Sequence, residues 1–200
     1  MRNKKVVRTV QLGLLCALSV ILMFTIRFSI FPAAPFLEYD MADVPILIGT
    51  FMFGPAWGLA ITCIVSVLQW LIVSPHSGWV GAIMHIFSTG AYVVAAGLIY
   101  RRNRTRKGAA WALAVGSVAM IIAMVPMNIL VSPLYLLTDE LPYAQAQAEY
   151  IDRYFWYSAA FNCIKAAINT LITFVLYKSV AKALRLMEPV QRPQGGGSAE

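Results

Sequence analysis

Lys165 is the residue that most demands a chemical explanation. It stands inside the apolar stretch from Phe155 to Tyr177, about three helical turns from either end. If that stretch crosses a bilayer, a charge so placed costs at least about 2.5 to 3.5 kcal/mol, so an ammonium there has to bind or balance something. Asn162 lies three residues before it and Asn169 four after, so one helical face carries all three. Two amides and an ammonium on one face have two uses. They can tie neighbouring helices together, or they can line a pocket and read the carbonyls and N–H groups of a ligand. No acidic residue lies within any apolar stretch to neutralise Lys165, which weighs toward the pocket.

Other apolar stretches carry isolated polar groups at Gln69, His85 and Asn128. Taken singly, Gln69 and His85 read most simply as interhelical glue. Asn128 is flanked by Pro126 and Pro133, which free backbone carbonyls and bend a membrane helix, often around a cavity. His85 has no second histidine or carboxylate at ligand spacing, so no metal site is expected. The chain holds no G-x-x-x-x-G-K-[ST], no H-E-x-x-H and no G-x-S-x-G, so it has no ATPase site of its own and no motif of a hydrolase.

These side chains need elements to hold them, and composition says which. Of 200 residues, 60% are hydrophobic and 12% charged, with a mean hydropathy of +0.69, too little polar surface to cover a soluble globule. Apolar segments run from Thr9 to Phe31, Val44 to Val73, Trp79 to Tyr100, Ala109 to Leu137 and Phe155 to Tyr177. The second would be a helix of roughly 45 Å against a hydrocarbon core of about 30 Å. It contains Gly54-Pro55-Ala56-Trp57-Gly58, a turn signal, so it splits into two short spans. The expected fold is an all-α membrane protein with six transmembrane helices and cytoplasmic N- and C-termini. That count puts 13 of the 16 basic residues inside, in the N-terminal segment, the RRNRTRK cluster and the C-terminal segment, and seven of the nine acidic ones outside. Five spans would place RRNRTRK outside. The net charge of +7 therefore reflects topology and inner-leaflet lipid, with no nucleic acid implied. Residues 1–187 form one integral domain, and 188–200, rich in Gly and Pro, a flexible polar tail. The N-terminal apolar run reads as a retained helix, and Cys16, Cys63 and Cys163 as small packing residues.

The first external loop, FPAAPFLEYDMADVP, sets Phe36, Leu37, Tyr39 and Met41 among the acids Glu38, Asp40 and Asp43. Proline on both sides suggests an ordered lid, with Asp43 as a helix N-cap and Pro45 in the first turn. Apolar and aromatic groups at the mouth of a polar-lined bundle suit an amphipathic, ring-containing ligand. In the first span, Gly13 and Ala17 make a small-x-x-x-small face on which another helix, within the bundle or from a partner, can approach closely.

Three stretches carry a resemblance: YDMADVPILIGTFMFGPAWG (Tyr39 to Gly58), MNILVSPLY (Met127 to Tyr135) and FNCIKAAI (Phe161 to Ile168). Through them the chain resembles the substrate-binding S components of energy-coupling factor (ECF) transporters, above all the riboflavin-specific ones. The resemblance implies a bundle in a bacterial cell membrane that binds riboflavin from outside as transported ligand, with no cofactor. It implies docking on an ECF transmembrane coupling subunit with two cytoplasmic ABC ATPases, which supply the energy. It also implies that the first external loop closes over the flavin and that Asn128, Asn162 and Lys165 hold it. The uracil-like edge of a flavin offers alternating carbonyls and an N–H, which an amide and an ammonium can complement. Two departures stand out. Gln69 and His85 occupy positions where relatives often carry asparagine, and Gly13 and Ala17 replace a clean alanine pair in the docking face. They leave open another vitamin or flavin, including flavin mononucleotide. A small membrane enzyme or assembly protein is the rival reading.

Overall fold

The computed structural model describes residues 4–73, 78–138 and 141–185; the tail at 188–200 lies outside them. Among the described residues seven α-helices carry the fold: α1 (Lys4–Thr25), α2 (Asp43–Phe53), α3 (Pro55–Leu68), α4 (Gly78–Arg102), α5 (Arg106–Leu130), α6 (Tyr143–Arg153) and α7 (Phe155–Arg185). Five are long and apolar enough to cross a membrane: α1, α3 with its continuation to Val73, α4, α5 and α7. Their outward faces present large apolar side chains such as Phe24, Trp111, Ile122, Trp156 and Leu171. A surface of this kind is solvated by lipid.

The long apolar segment breaks where expected. Gly54 takes φ +96°, which a Cβ would disfavour, and donates its N–H to Thr50 O at 2.8 Å. Pro55 then starts α3, where its missing N–H costs nothing. The resulting α2 has only 11 residues, nine of them buried. It runs through the middle of the molecule, with Ile46, Leu47 and Ile48 in the core beside Leu15 of α1, Ile61 of α3 and Val93 of α4. Close approach depends on small residues. A Cβ at Gly97 of α4 would lie 2.8 Å from both Pro55 Cβ and Thr50 Cγ2.

Three features depart from an all-helical reading of the loops. α1 ends at Thr25, and Arg27–Ser29 (β1) pairs antiparallel with Glu38–Asp40 (β2), Arg27 opposite Asp40. Three-residue strands are too short to leave a period in the sequence. Asp43 is not the N-cap: Ala42 takes that position without a side-chain bond, and Asp43 begins the helix with its carboxylate turned inward. The segment after α5 contains α6, whose Ala146 and Tyr150 are buried while most of its other side chains face out.

α6 also resolves what the prolines leave open. Pro126 lies within α5, and beyond Leu130 the chain tightens into a 3₁₀ turn, Ser132–Leu136, which includes Pro133. Pro133 has no N–H to give Ile129 O; Gln147 Nε2 donates to that carbonyl at 2.9 Å, and Tyr143 OH to Leu130 O at 2.7 Å. Gln147→Ala should therefore lower stability by about 1 kcal/mol. Thermal unfolding in detergent reads this, and an unchanged midpoint would show that the carbonyl needs no partner.

Candidate functional site

A cavity lies between the β1–β2 hairpin, the C-terminal ends of α1 and α5, the N-terminal half of α7, Gln69 just beyond α3, and the facing part of α4. It holds about 820 Å³ of space between side chains, including its opening to solvent. Of the residues singled out in the sequence, Leu37, Glu38, Asp40, Gln69, His85, Asn128, Asn162 and Lys165 line it. Tyr39, Met41 and Asp43 do not. Tyr39 and Asp43 lie beneath the lining, and Met41 packs against the core.

The floor is an ionic cluster that reverses one expectation. Lys165 is not without a counter-charge: its Nζ lies 3.3 Å from Asp40 Oδ2 and 3.5 Å from Asp43 Oδ2. Asp43 is wholly buried and takes three more donors. Thr89 Oγ1 donates to Oδ1 at 2.6 Å, His85 Nε2 donates to the same oxygen at 3.0 Å, and Asn169 Nδ2 donates to Oδ2 at 2.7 Å. A buried carboxylate with this many donors repays its desolvation through charge-assisted hydrogen bonds. The acids come from the last residue of β2 and the first residue of α2, more than a hundred residues from Lys165, so no scan along a single helix could pair them.

The polar face of α7 is thus divided. Asn169 faces the buried floor, where its Oδ1 accepts from Tyr39 OH at 3.0 Å. Burial, with Asp43 adding, pushes the Tyr39 phenol up to about 12, so it remains a neutral donor. His85 has both ring nitrogens engaged, Nε2 on Asp43 and Nδ1 on Ser66 Oγ at 2.8 Å. It shows the cavity a ring wall and keeps Asp43 in place.

Other polar atoms at the cavity are unspent. Gln69 stands at the start of a π-helical turn, Gln69–Val73, that continues α3. Its Oε1 is buried without a hydrogen-bond partner among the described residues. Asn128 Oδ1 accepts from Ser132 Oγ at 3.4 Å, and Asn162 Nδ2 donates to Ser158 O at 2.9 Å. Among the described residues this leaves Asn128 Nδ2 to donate and Asn162 Oδ1 to accept. Gln69 Oε1, a buried acceptor without a partner, is the kind of group that a ligand satisfies.

Beyond the candidate site residues, other side chains line the cavity, Arg27 and Phe36 from the loop already read as a lid and Ser132, Tyr135 and Phe161 from elsewhere. Arg27 pairs with Glu38 and donates to Val73 O at 3.2 Å, pinning the hairpin to the π turn at the rim. Phe36 packs on Tyr135 and Tyr154, with ring centres 5.8 and 5.3 Å apart. Burial pushes the Tyr135 phenol up to about 12, with Tyr150 and Glu38 adding. Ser132 and Phe161 complete the wall beside the asparagines. The signal for Ser132 and Tyr135 was present, since both stand on the turn that contains Pro133. Gly13 and Ala17 lie far from the cavity, on the outward face of α1, with open space above Gly13.

Comparison with known proteins agrees with this architecture. A family model described as "ECF transporter, substrate-specific component" matches residues 7–177. The riboflavin transporter FmnP of Bacillus subtilis (strain 168) is 31% identical over 134 residues, covering 66% of this chain and 70% of that protein. The riboflavin transporter RibU of Staphylococcus aureus (strain TCH60) is 27% identical over 179 residues, 89% of this chain and 92% of that one. Among solved structures, an S component of a bacterial ECF transporter superposes with a TM-score of 0.71 at 26% identity, covering 89% of this chain and 97% of the other. With a family match spanning nearly all of the described helices and a fold shared with a solved S component, the chain belongs to the substrate-specific components of ECF transporters.

Proposed function

We propose that this chain is the riboflavin-capturing S component of an ECF importer in a bacterial cell membrane. In this reading it crosses the bilayer six times, α2 serving as a short span shielded by its neighbours, with both termini cytoplasmic. The charge distribution supports that orientation. The observation that carries the ligand assignment is the unspent hydrogen-bonding set at the cavity, Gln69 Oε1, Asn128 Nδ2 and Asn162 Oδ1, beside the ammonium of Lys165. A flavin edge alternates acceptor, donor and acceptor, which Asn128 Nδ2, Asn162 Oδ1 and the Lys165 ammonium complement, while a ribityl hydroxyl can donate to Gln69 Oε1. The aromatic cluster around Phe36 gives the fused ring an apolar surface. Relatives that are riboflavin transporters point the same way.

The hairpin is the lid in this scheme. Asp40 ties it to Lys165 on α7 and Arg27–Glu38 closes its rim, so ligand entry exchanges these contacts for contacts to the flavin. Energy for release comes from a coupling subunit and two ABC ATPases, with Gly13 and Ala17 on the face of α1 that receives the coupling subunit.

Riboflavin is yellow and fluorescent. Protein purified from a flavin-containing host should carry the colour, and stripped protein should quench added riboflavin. Colourless protein that leaves the fluorescence unchanged would rule out the assignment. Asn128→Leu should weaken binding by about 2 kcal/mol, roughly thirtyfold, because it removes a donor from a buried site. Unchanged quenching titrations would place the ligand elsewhere.

A further inference from the structure

A second pocket lies at the opposite end of the bundle. Its walls are Phe51 and Phe53 at the end of α2, the Gly54 turn with Pro55 and Trp57, and Gly97, Tyr100 and Arg101 at the end of α4; Arg104 closes it from the α4–α5 link. The Arg8 guanidinium of α1 lies 4.7 Å from the centre of the Trp57 ring. Two guanidinium groups, Arg101 and Arg104, therefore line one aromatic-walled recess, with a third, Arg8, on the ring of its Trp57 wall. No carboxylate lines it, and among the described residues none of the three forms an ion pair. The riboflavin reading makes no use of this concentration of charge.

We propose that this pocket holds the headgroup of an anionic phospholipid. Arginine presents a planar fork that matches two phosphate oxygens, and two such forks without carboxylates to occupy them are a receptor for a phosphodiester. The walls set the class of ligand. Free phosphate has no use for Phe53, Pro55 and Trp57, whereas a lipid brings a glycerol and the first methylenes of its chains to them. Trp57 is partly exposed on the outward side of the bundle, with the amphipathic habit of a residue at headgroup level. The depth fits as well: the apolar run of α4 gives way to RRNRTRK at this point, so the pocket sits where hydrocarbon meets water. Basic pockets between helices on the cytoplasmic side are where anionic headgroups bind. The assignment to the inner leaflet rests on the cytoplasmic orientation proposed above.

The test uses the whole chain in detergent, incubated with phosphatidylglycerol or phosphatidylcholine and examined by native mass spectrometry. The unmodified protein should retain phosphatidylglycerol at least tenfold better than phosphatidylcholine. Arg101→Gln with Arg104→Gln should remove that preference, and Arg153→Gln, on the far side, should keep it. Riboflavin quenching, measured on the same samples, should be the same for the double variant as for the unmodified protein, which separates loss of this site from loss of the fold and from failure of the vitamin assignment. Equal retention of the two lipids by the unmodified protein would overturn the proposal without any variant. It would also be overturned if millimolar inorganic phosphate displaced phosphatidylglycerol completely, making this a free-anion site. A double variant that kept its lipid but lost binding to the coupling subunit would assign the arginines to a protein partner.

Discussion

Lys165→Met should destabilise the protein by about 3 to 5 kcal/mol and weaken riboflavin binding at least tenfold. The first figure is the usual cost of removing one partner from a buried ionic group, since Asp40 and Asp43 would be left facing each other across an apolar side chain. The second follows from the loss of the one ammonium at the cavity floor. The two effects separate in a double variant. Adding Asp40→Asn to Lys165→Met removes one of the stranded carboxylates, while Asp43 retains Thr89, His85 and Asn169, so much of the stability should return. Binding should not return, because the ammonium is still absent. Thermal unfolding and fluorescence quenching on the same preparations distinguish these outcomes. If the double variant regained both, Lys165 would serve only to balance charge, and the ligand would make no use of it.

Asp43→Asn should cost about as much, although it changes a single atom and almost no volume. Both oxygens of Asp43 are fully used, Oδ1 by Thr89 and His85, and Oδ2 by Asn169 and Lys165. An amide puts a donor in place of one of these oxygens: on the Oδ2 side it meets Asn169 Nδ2 and the Lys165 ammonium, neither of which can accept, and on the Oδ1 side the Thr89 hydroxyl and the His85 ring must both turn from donor to acceptor. Each buried donor left without an acceptor costs about 1 to 3 kcal/mol, and the charge that balances Lys165 is halved. Asp40→Asn is the informative comparison. Asp40 has one ion pair at the rim of the cluster and one bond to its own loop, Ala42 N–H at 3.0 Å. Its replacement should cost only about 1 to 2 kcal/mol and should loosen the hairpin more than the bundle. If melting temperatures ranked Asp40→Asn as the more damaging change, the centre of the cluster would not be Asp43.

The helices and much of the cavity were legible because their signals are local. An ammonium in an apolar stretch, asparagines in register with it, prolines around Asn128 and a glycine-proline break at Gly54 each announce themselves within one or two turns, and the structure brings Asn128, Asn162 and Lys165 to one wall. What escaped is what depends on distance along the chain. Asp40 and Asp43 were noticed, but as members of a loop and a helix cap. Only the packing of α2 against α7 shows that they neutralise Lys165. His85 illustrates the same point. Its sequence neighbours offer it nothing, and its two partners, Ser66 and Asp43, come from α3 and α2. The hairpin and α6 escaped for another reason: three-residue strands and an 11-residue helix among polar residues are too short for periodicity to outweigh composition.

The shortness of α2 bears on how the molecule is made. At 11 residues it is about 16 Å long, half the hydrocarbon thickness, and it begins with a carboxylate. A nascent chain entering the bilayer helix by helix cannot leave such a segment alone in lipid. It has to partition together with α3, as a pair joined at Gly54. Even then Asp43 waits, because the ammonium that answers it belongs to α7, synthesised more than a hundred residues later. Assembly of this bundle is therefore not finished segment by segment: its centre is completed only when α7 arrives.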